Sequence, residues 1–286
     1  MFRRACPEVE DPSGTQDIGG AAMTRALVLR GTPALIVVVA AVAGPWVAPR
    51  PVDATVGIPF SAPHRGVWLG GDRLGRDVFS QLLHGGWGLI LLAAIIAAAV
   101  TGLASVLGAV AALRPRWGAV IERGADLAIL LPVVLAMMLV VLSWPQSGAA
   151  GVVLIAIMFG TPYSARVFAA AAAGVAATGY VEAARLGGEP TASVIFREVL
   201  PNLRELVFTQ LGLRFVEGMY VVATAAFLQL PATLGASNWA VMVRDNASGI
   251  LLNPWAVLAP SLAVGVVAVS ANLLAAALGR REVVRK

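Results

Sequence analysis

Five long stretches of this chain carry no Asp, Glu, Lys or Arg: Thr32–Pro49, Trp87–Leu113, Leu127–Ala165, Gly218–Val243 and Asn246–Gly279. A helix satisfies its own backbone N–H and C=O groups, so roughly 20 apolar residues in that form cross a bilayer without offering hydrocarbon an unpaired polar group. Composition agrees, with 58% hydrophobic residues, 13% charged and a mean hydropathy of +0.81; a soluble domain is about one quarter charged. Leu127–Ala165 is too long for one crossing, and Trp144-Pro145-Gln146-Ser147-Gly148 interrupts it with turn residues. These features define an all-α integral membrane protein with about six transmembrane helices, expected near 31–49, 87–113, 127–144, 149–170, 205–230 and 255–279.

Charge placement orients the bundle. With the N-terminus inside, fifteen Lys/Arg fall in cytoplasmic segments and five (Arg50, Arg65, Arg73, Arg76 and Arg244) on the opposite side. Basic residues are retained on the cytoplasmic side, so both termini and the segment around Glu182 are expected there. The arginines are scattered among loops, which argues against nucleic acid as a partner. Lys286 is the only lysine, and no Gly-rich turn followed by Lys and Ser/Thr occurs, so this sequence holds no P-loop. Cys6 is the only cysteine, which leaves no internal disulfide and no Cys-based metal site.

The expected organisation is a disordered cytoplasmic tail at 1–25, a first transmembrane helix at 26–49, an extracytoplasmic segment at 50–86, a core at 87–279 and a cytoplasmic tail at 280–286. Met23 could itself serve as a start. Ala41-Val42-Ala43 has the small-residue pattern of a signal-peptidase site. The apolar run continues past it through Trp46 and Val47, so an uncleaved anchor is expected.

Inside the core lies one polar segment, 178–203. Thr178 is placed to cap a short helix through Leu186, and Gly187-Gly188 to stop it. Pro190 suits the first turn of a second helix, Thr191–Leu200, which Pro201 is expected to close. Ala183 and Ala184 leave a smooth face beside the anion Glu182, a surface that a soluble partner could approach closely.

Glu182-Ala183-Ala184, then Gly188, then Leu200-Pro201 resembles the coupling loop of ABC importer permeases. The likeness is greatest to the second permease of dipeptide, oligopeptide and nickel importers. Leu69-Gly70-Gly71-Asp72-Arg73-Leu74-Gly75-Arg76-Asp77-Val78 is similar to that group's Gly-Thr-Asp-x-x-Gly-Arg-Asp segment after the first span. Phe227-Leu228, Ser237-Asn238-Trp239 with Met242, and Pro254-Trp255 resemble its last outer loop and last span. Five positions depart: Gly71 stands for Thr, Glu198 for Ile, Gln229 and Pro231 for Gly, and Val222 for Glu. The departures at 222 and 229–231 lie near the expected path and bear on substrate class.

The resemblance implies a type I ABC importer permease-like bundle that is not itself an enzyme and has no catalytic residue, cofactor or metal. The implied partners are a second homologous permease, two ABC ATPase subunits, an extracytoplasmic substrate-binding protein and the lipid bilayer. The implied location is the bacterial plasma membrane. Di- or oligopeptides are the expected cargo, with nickel or another small solute as the alternative, and an ATPase-independent secondary transporter as the rival mechanism.

Five further groups stand out. Arg214 and Glu217 are three apart on a predicted helix, hence on one face. Ionisable groups in a span line a pathway or neutralise one another, and both readings stay open. Asp72, Gly75, Arg76 and Asp77 either cap and staple the loop or meet the binding protein. His64 and His84 are too few for a metal site and fit loop packing. Gly102 through Gly108 and Ala169–Ala173 supply small residues for close helix contact. Trp46, Trp68, Trp87, Trp117, Trp144, Trp239 and Trp255 fall near span ends, as interfacial anchors do.

Overall fold

The computed structural model describes residues 32, 36–41, 43–228, 230 and 238–284, without the side chains of 115, 129 and 280–284. The expected tail at 1–25, Cys6 and the loop departures at Gln229 and Pro231 lie outside them. Among the described residues every regular element is helical: α1 (Val78–Leu113), α2 (Pro115–Leu130), α3 (Val133–Ser143), α4 (Gly148–Ala176), α5 (Gly179–Leu186), α6 (Thr191–Ser193), α7 (Leu200–Asn202), α8 (Arg204–Phe227), α9 (Trp239–Asn246) and α10 (Trp255–Val284). The described part of the first expected span is helical at 36–41 and 43–47.

Among the described residues, four helices are each long and apolar enough to cross a membrane, at Val78–Leu113, Pro145–Ala176, Arg204–Phe227 and Trp255–Gly279. The third expected span, 127–144, is not one helix. Arg116–Ala128 and Val133–Ser143 meet at 84°, and together they make up at most one further crossing. Pro132 is the cause: its ring disfavours a helical residue before it, and Leu131 is extended at φ −97°, ψ 119°. The break at 144–148 falls where the turn residues lie, with Trp144 ending α3 and Gly148 at φ 57°.

α1 begins at Val78, well before the expected span start at 87. At about 1.5 Å per residue its 36 residues reach roughly 54 Å, far past an apolar layer of about 30 Å. It is therefore the beam that joins the two polar ends of the molecule. α4 and α8 run along it and α10 packs on α8. Close approach needs missing side chains. A Cβ on Gly108 would lie 2.5 Å from the Phe168 Cβ, and one on Gly218 3.0 Å from the Ala93 carbonyl, whereas Gly102 faces open space. One large cluster, with Leu89, Val100, Met137, Ile155, Met219 and Val222, fills the middle.

Trp239 is a core residue and not an interfacial anchor. It is 2% exposed, its indole fills the space above Gly86, and Nε1 donates to the Leu82 carbonyl at 2.8 Å. Burying an indole requires a partner for its N–H, and the end of α1 supplies one.

Candidate functional site

At the C-terminal end of α1 sits the two-helix element of residues 179–203. Thr178 occupies the cap position of α5, but its hydroxyl donates backward to the Val175 carbonyl at 2.6 Å and does not cap. Gly187 and Gly188 end the helix, and Gly188 takes φ +79°, a conformation that costs a side-chain-bearing residue free energy. The second helix differs from the expectation of Thr191–Leu200 closed by Pro201. Pro190 precedes it as the N-cap, and Val194–Val199 is a π turn in which the Leu200 N–H reaches the Ile195 carbonyl. Pro201 lies inside α7, and the chain turns only at Leu203. Proline offers no N–H and collides with the carbonyl four residues back in an α-helix; widening the preceding turn removes that collision.

The element has two unlike faces. Val181, Val194, Ile195 and Val199 are at most 4% exposed and share one apolar cluster with Leu113 of α1 and Phe168 and Ala172 of α4. They form a keel. Glu182, Ala183, Gly188 and Glu189 are exposed, Leu186 is 83% exposed, and Ala184, Leu200 and Pro201 are half-buried. Tyr180 Oη accepts from Asn202 Nδ2 at 3.0 Å, bracing α5 against α7. Arg114 Nη2 donates to Thr191 Oγ1 at 2.8 Å and ties the element to the beam.

The opposite end is a folded loop, 48–77, that leads into α1. Asp72 is 1% exposed and accepts from the backbone N–H groups of Leu74 and Arg76, from Arg76 Nε and from Gln81 Nε2, all at 2.7–2.9 Å. Arg76 Nη2 adds an ion pair at 2.9 Å. Asp77, 2% exposed, is the N-cap of α1: it accepts from Phe79 N–H and Ser80 Oγ and pairs with Arg50 at 3.2 Å. Gly75 takes φ +74° with only 2.2 Å between its would-be Cβ and the Gly57 carbonyl. At Gly71 a Cβ would meet Ser61 Oγ at 2.6 Å.

Residues that sequence reasoning passed over complete this hub. Asn253 Nδ2 donates to the Leu69 and Gly71 carbonyls at 2.9 Å, and Asn246 Oδ1 accepts from Arg73 N–H at 2.9 Å. Arg73 also pairs with Asp245 at 3.0 Å. Lone asparagines have no periodic signature; the one cue is the placement of Asn253 after an apolar run and before Pro254. His64 and His84 Nδ1 each lie against a nearby backbone carbonyl, of Ala62 and Ser80.

Midway along the beam, Arg214 and Glu217 of α8 form an ion pair. The Arg214 guanidinium lies 5.7 Å from the centre of the Tyr163 ring of α4, a favourable cation–π distance. Both charged residues line a cavity of about 190 Å³ bounded by α1, α4, α8 and the Leu131 bend. Val222, where the resembled group has Glu, is fully buried in the core and lines no such space.

Membrane-length helices packed around a polar-ended beam define a multi-pass membrane protein. Residues 104–284 match the family described as the binding-protein-dependent transport system inner membrane component. The chain belongs to that family, in the peptide and oligopeptide group of ABC importer permeases. It is 29% identical over 232 residues to a Brucella ovis protein that carries the name peptide permease, covering 80% of this chain and 76% of the relative. A Brucella suis protein named as a peptide transport system permease is 28% identical over 246 residues, 84% and 81% of the two chains. The glutathione transport system permease of Pectobacterium atrosepticum is 30% identical over 215 residues, 74% and 70% of the two chains.

Proposed function

We propose that this chain forms half of a path for small peptides, completed by a second, similar permease. In this reading two ATPase subunits dock on residues 179–203 from the cytoplasm, and a binding protein delivers cargo at the 48–77 end. The termini are cytoplasmic, in keeping with the fifteen-to-five distribution of basic residues. Relatives named for peptide and glutathione transport support peptides as the cargo class.

The observation that carries the reading is the two-faced element. Glu182, Ala183 and Leu186 face outward while the keel is buried against α1 and α4. A partner that grips the outer face therefore moves the beam. ATP binding draws the two ATPases together, the elements follow, and the bundles rock between inward-open and outward-open states. The absence of a P-loop from this sequence leaves hydrolysis to the partners. The pattern at Glu182 assigns docking to Glu182, Ala183, Ala184 and Gly188, with Leu200 and Pro201 as the frame.

The test is co-purification of the assembled importer together with ATP-dependent uptake of a labelled tripeptide into vesicles. Glu182→Arg is expected to abolish uptake and release the ATPase subunits. Uptake that persists without ATP under a proton gradient would sink the assignment.

A further inference from the structure

We propose that Arg214 is a binding site for a carboxylate of the cargo, the free C-terminus of a peptide; this rests on the peptide reading above. Arg214 sits ten residues into α8, its side chain 12% exposed, whereas Glu217 is 44% exposed and leans toward the open side. Glu217 engages Nη1, one corner of the guanidinium. The Nε–H is buried and has no hydrogen-bond partner. Nε and Nη2 form the edge that can grip a carboxylate through two parallel N–H···O bonds, and Glu217 meets the guanidinium through Nη1 instead. Tyr163 supports the guanidinium from α4 and limits its swing.

The surrounding space fixes what could occupy the edge. The cavity holds about 190 Å³ and is walled by Ile96, Val100, Leu131, Val133, Phe159 and Val221. That volume takes a carboxylate and one modest side chain, not a whole peptide. The walls are apolar and therefore indifferent to which side chain arrives. A site that holds one invariant charged end and accepts varied residues beside it suits a carrier of mixed peptides. Glu217 is the positioning residue: it neutralises Arg214 between cargoes and holds the guanidinium by Nη1.

A structural ion pair and a carboxylate site respond differently to the same substitutions. The complete importer, with its paired permease, ATPases and binding protein, is reconstituted in vesicles, and uptake of labelled trialanine is measured beside ATPase activity. Arg214→Lys keeps the charge and the ion pair but loses the two-pronged edge; it is expected to cut maximal uptake about tenfold, the scale of one bidentate contact, with assembly intact. The exchange Arg214→Glu with Glu217→Arg restores a pair of opposite charges and is expected to leave uptake equally low. Wild-type uptake in either variant overturns the proposal while leaving the peptide reading standing. A wild-type importer that moves no peptide overturns both.

Discussion

The two ends of α1 are built on opposite plans. At its start, aspartates that are 1–2% exposed are saturated by backbone and side-chain donors, and asparagines from the far end of the sequence clamp the loop. At its finish, the element of residues 179–203 rides on valines and isoleucine, with its polar groups turned out. Directional bonds fix a geometry; an apolar contact is non-directional and permits a few degrees of tilt without losing its area. One end is an anchorage and the other a bearing.

Substitutions can break this contrast in order of size. Asp72→Ala leaves Arg76 and Gln81 facing an empty, buried position and should cost about 3–5 kcal/mol, as the loss of one partner of a buried pair does. Its signature is a lowered unfolding midpoint in detergent, with uptake per folded molecule unchanged. Gly75→Ala forces a side chain into a left-handed conformation against the Gly57 carbonyl and should cost about 1–3 kcal/mol by the same measurement. Val181→Ala removes two buried carbons from the keel, roughly 1.5 kcal/mol at about 0.8 per carbon. Here uptake per folded molecule should fall as well, because the bearing slips. Glu182→Ala is exposed and should shift stability by less than about 0.5 kcal/mol while still uncoupling ATP hydrolysis from uptake. If Glu182→Ala destabilised as much as Asp72→Ala, the two-plan description would be wrong.

Much of the bundle was legible in the sequence. The spans expected near 149–170, 205–230 and 255–279 fall within α4, α8 and α10 to within a few residues, because charge marks where hydrocarbon ends. Three features were not. Residues 78–86 read as loop because Ser80, Gln81, His84 and Gly85-Gly86 interrupt the apolar pattern; in the fold Ser80 and Gln81 are buried against Asp77 and Asp72, and Gly86 packs against Trp239. The bend at Pro132 was hidden by an unbroken apolar run, where composition outweighed one ring. The π turn before Pro201 is a compromise between a proline and a keel whose residues must all face one way, a conflict that local propensity does not express.

The hub also governs when this protein can finish folding. Asn253 lies 184 residues beyond Leu69, and Trp239 lies 157 beyond Leu82. At roughly 5–20 residues per second, the loop would wait about ten to forty seconds on the ribosome for those partners to arrive. During that interval the Leu69 and Gly71 carbonyls and the Arg73 N–H lack their asparagine partners, and the nascent chain is exposed to proteases that survey unassembled membrane proteins. Arrival of the last helix is thus a release signal written into the chain, and a truncation before Asn253 should be cleared by quality control rather than accumulate as a stable fragment.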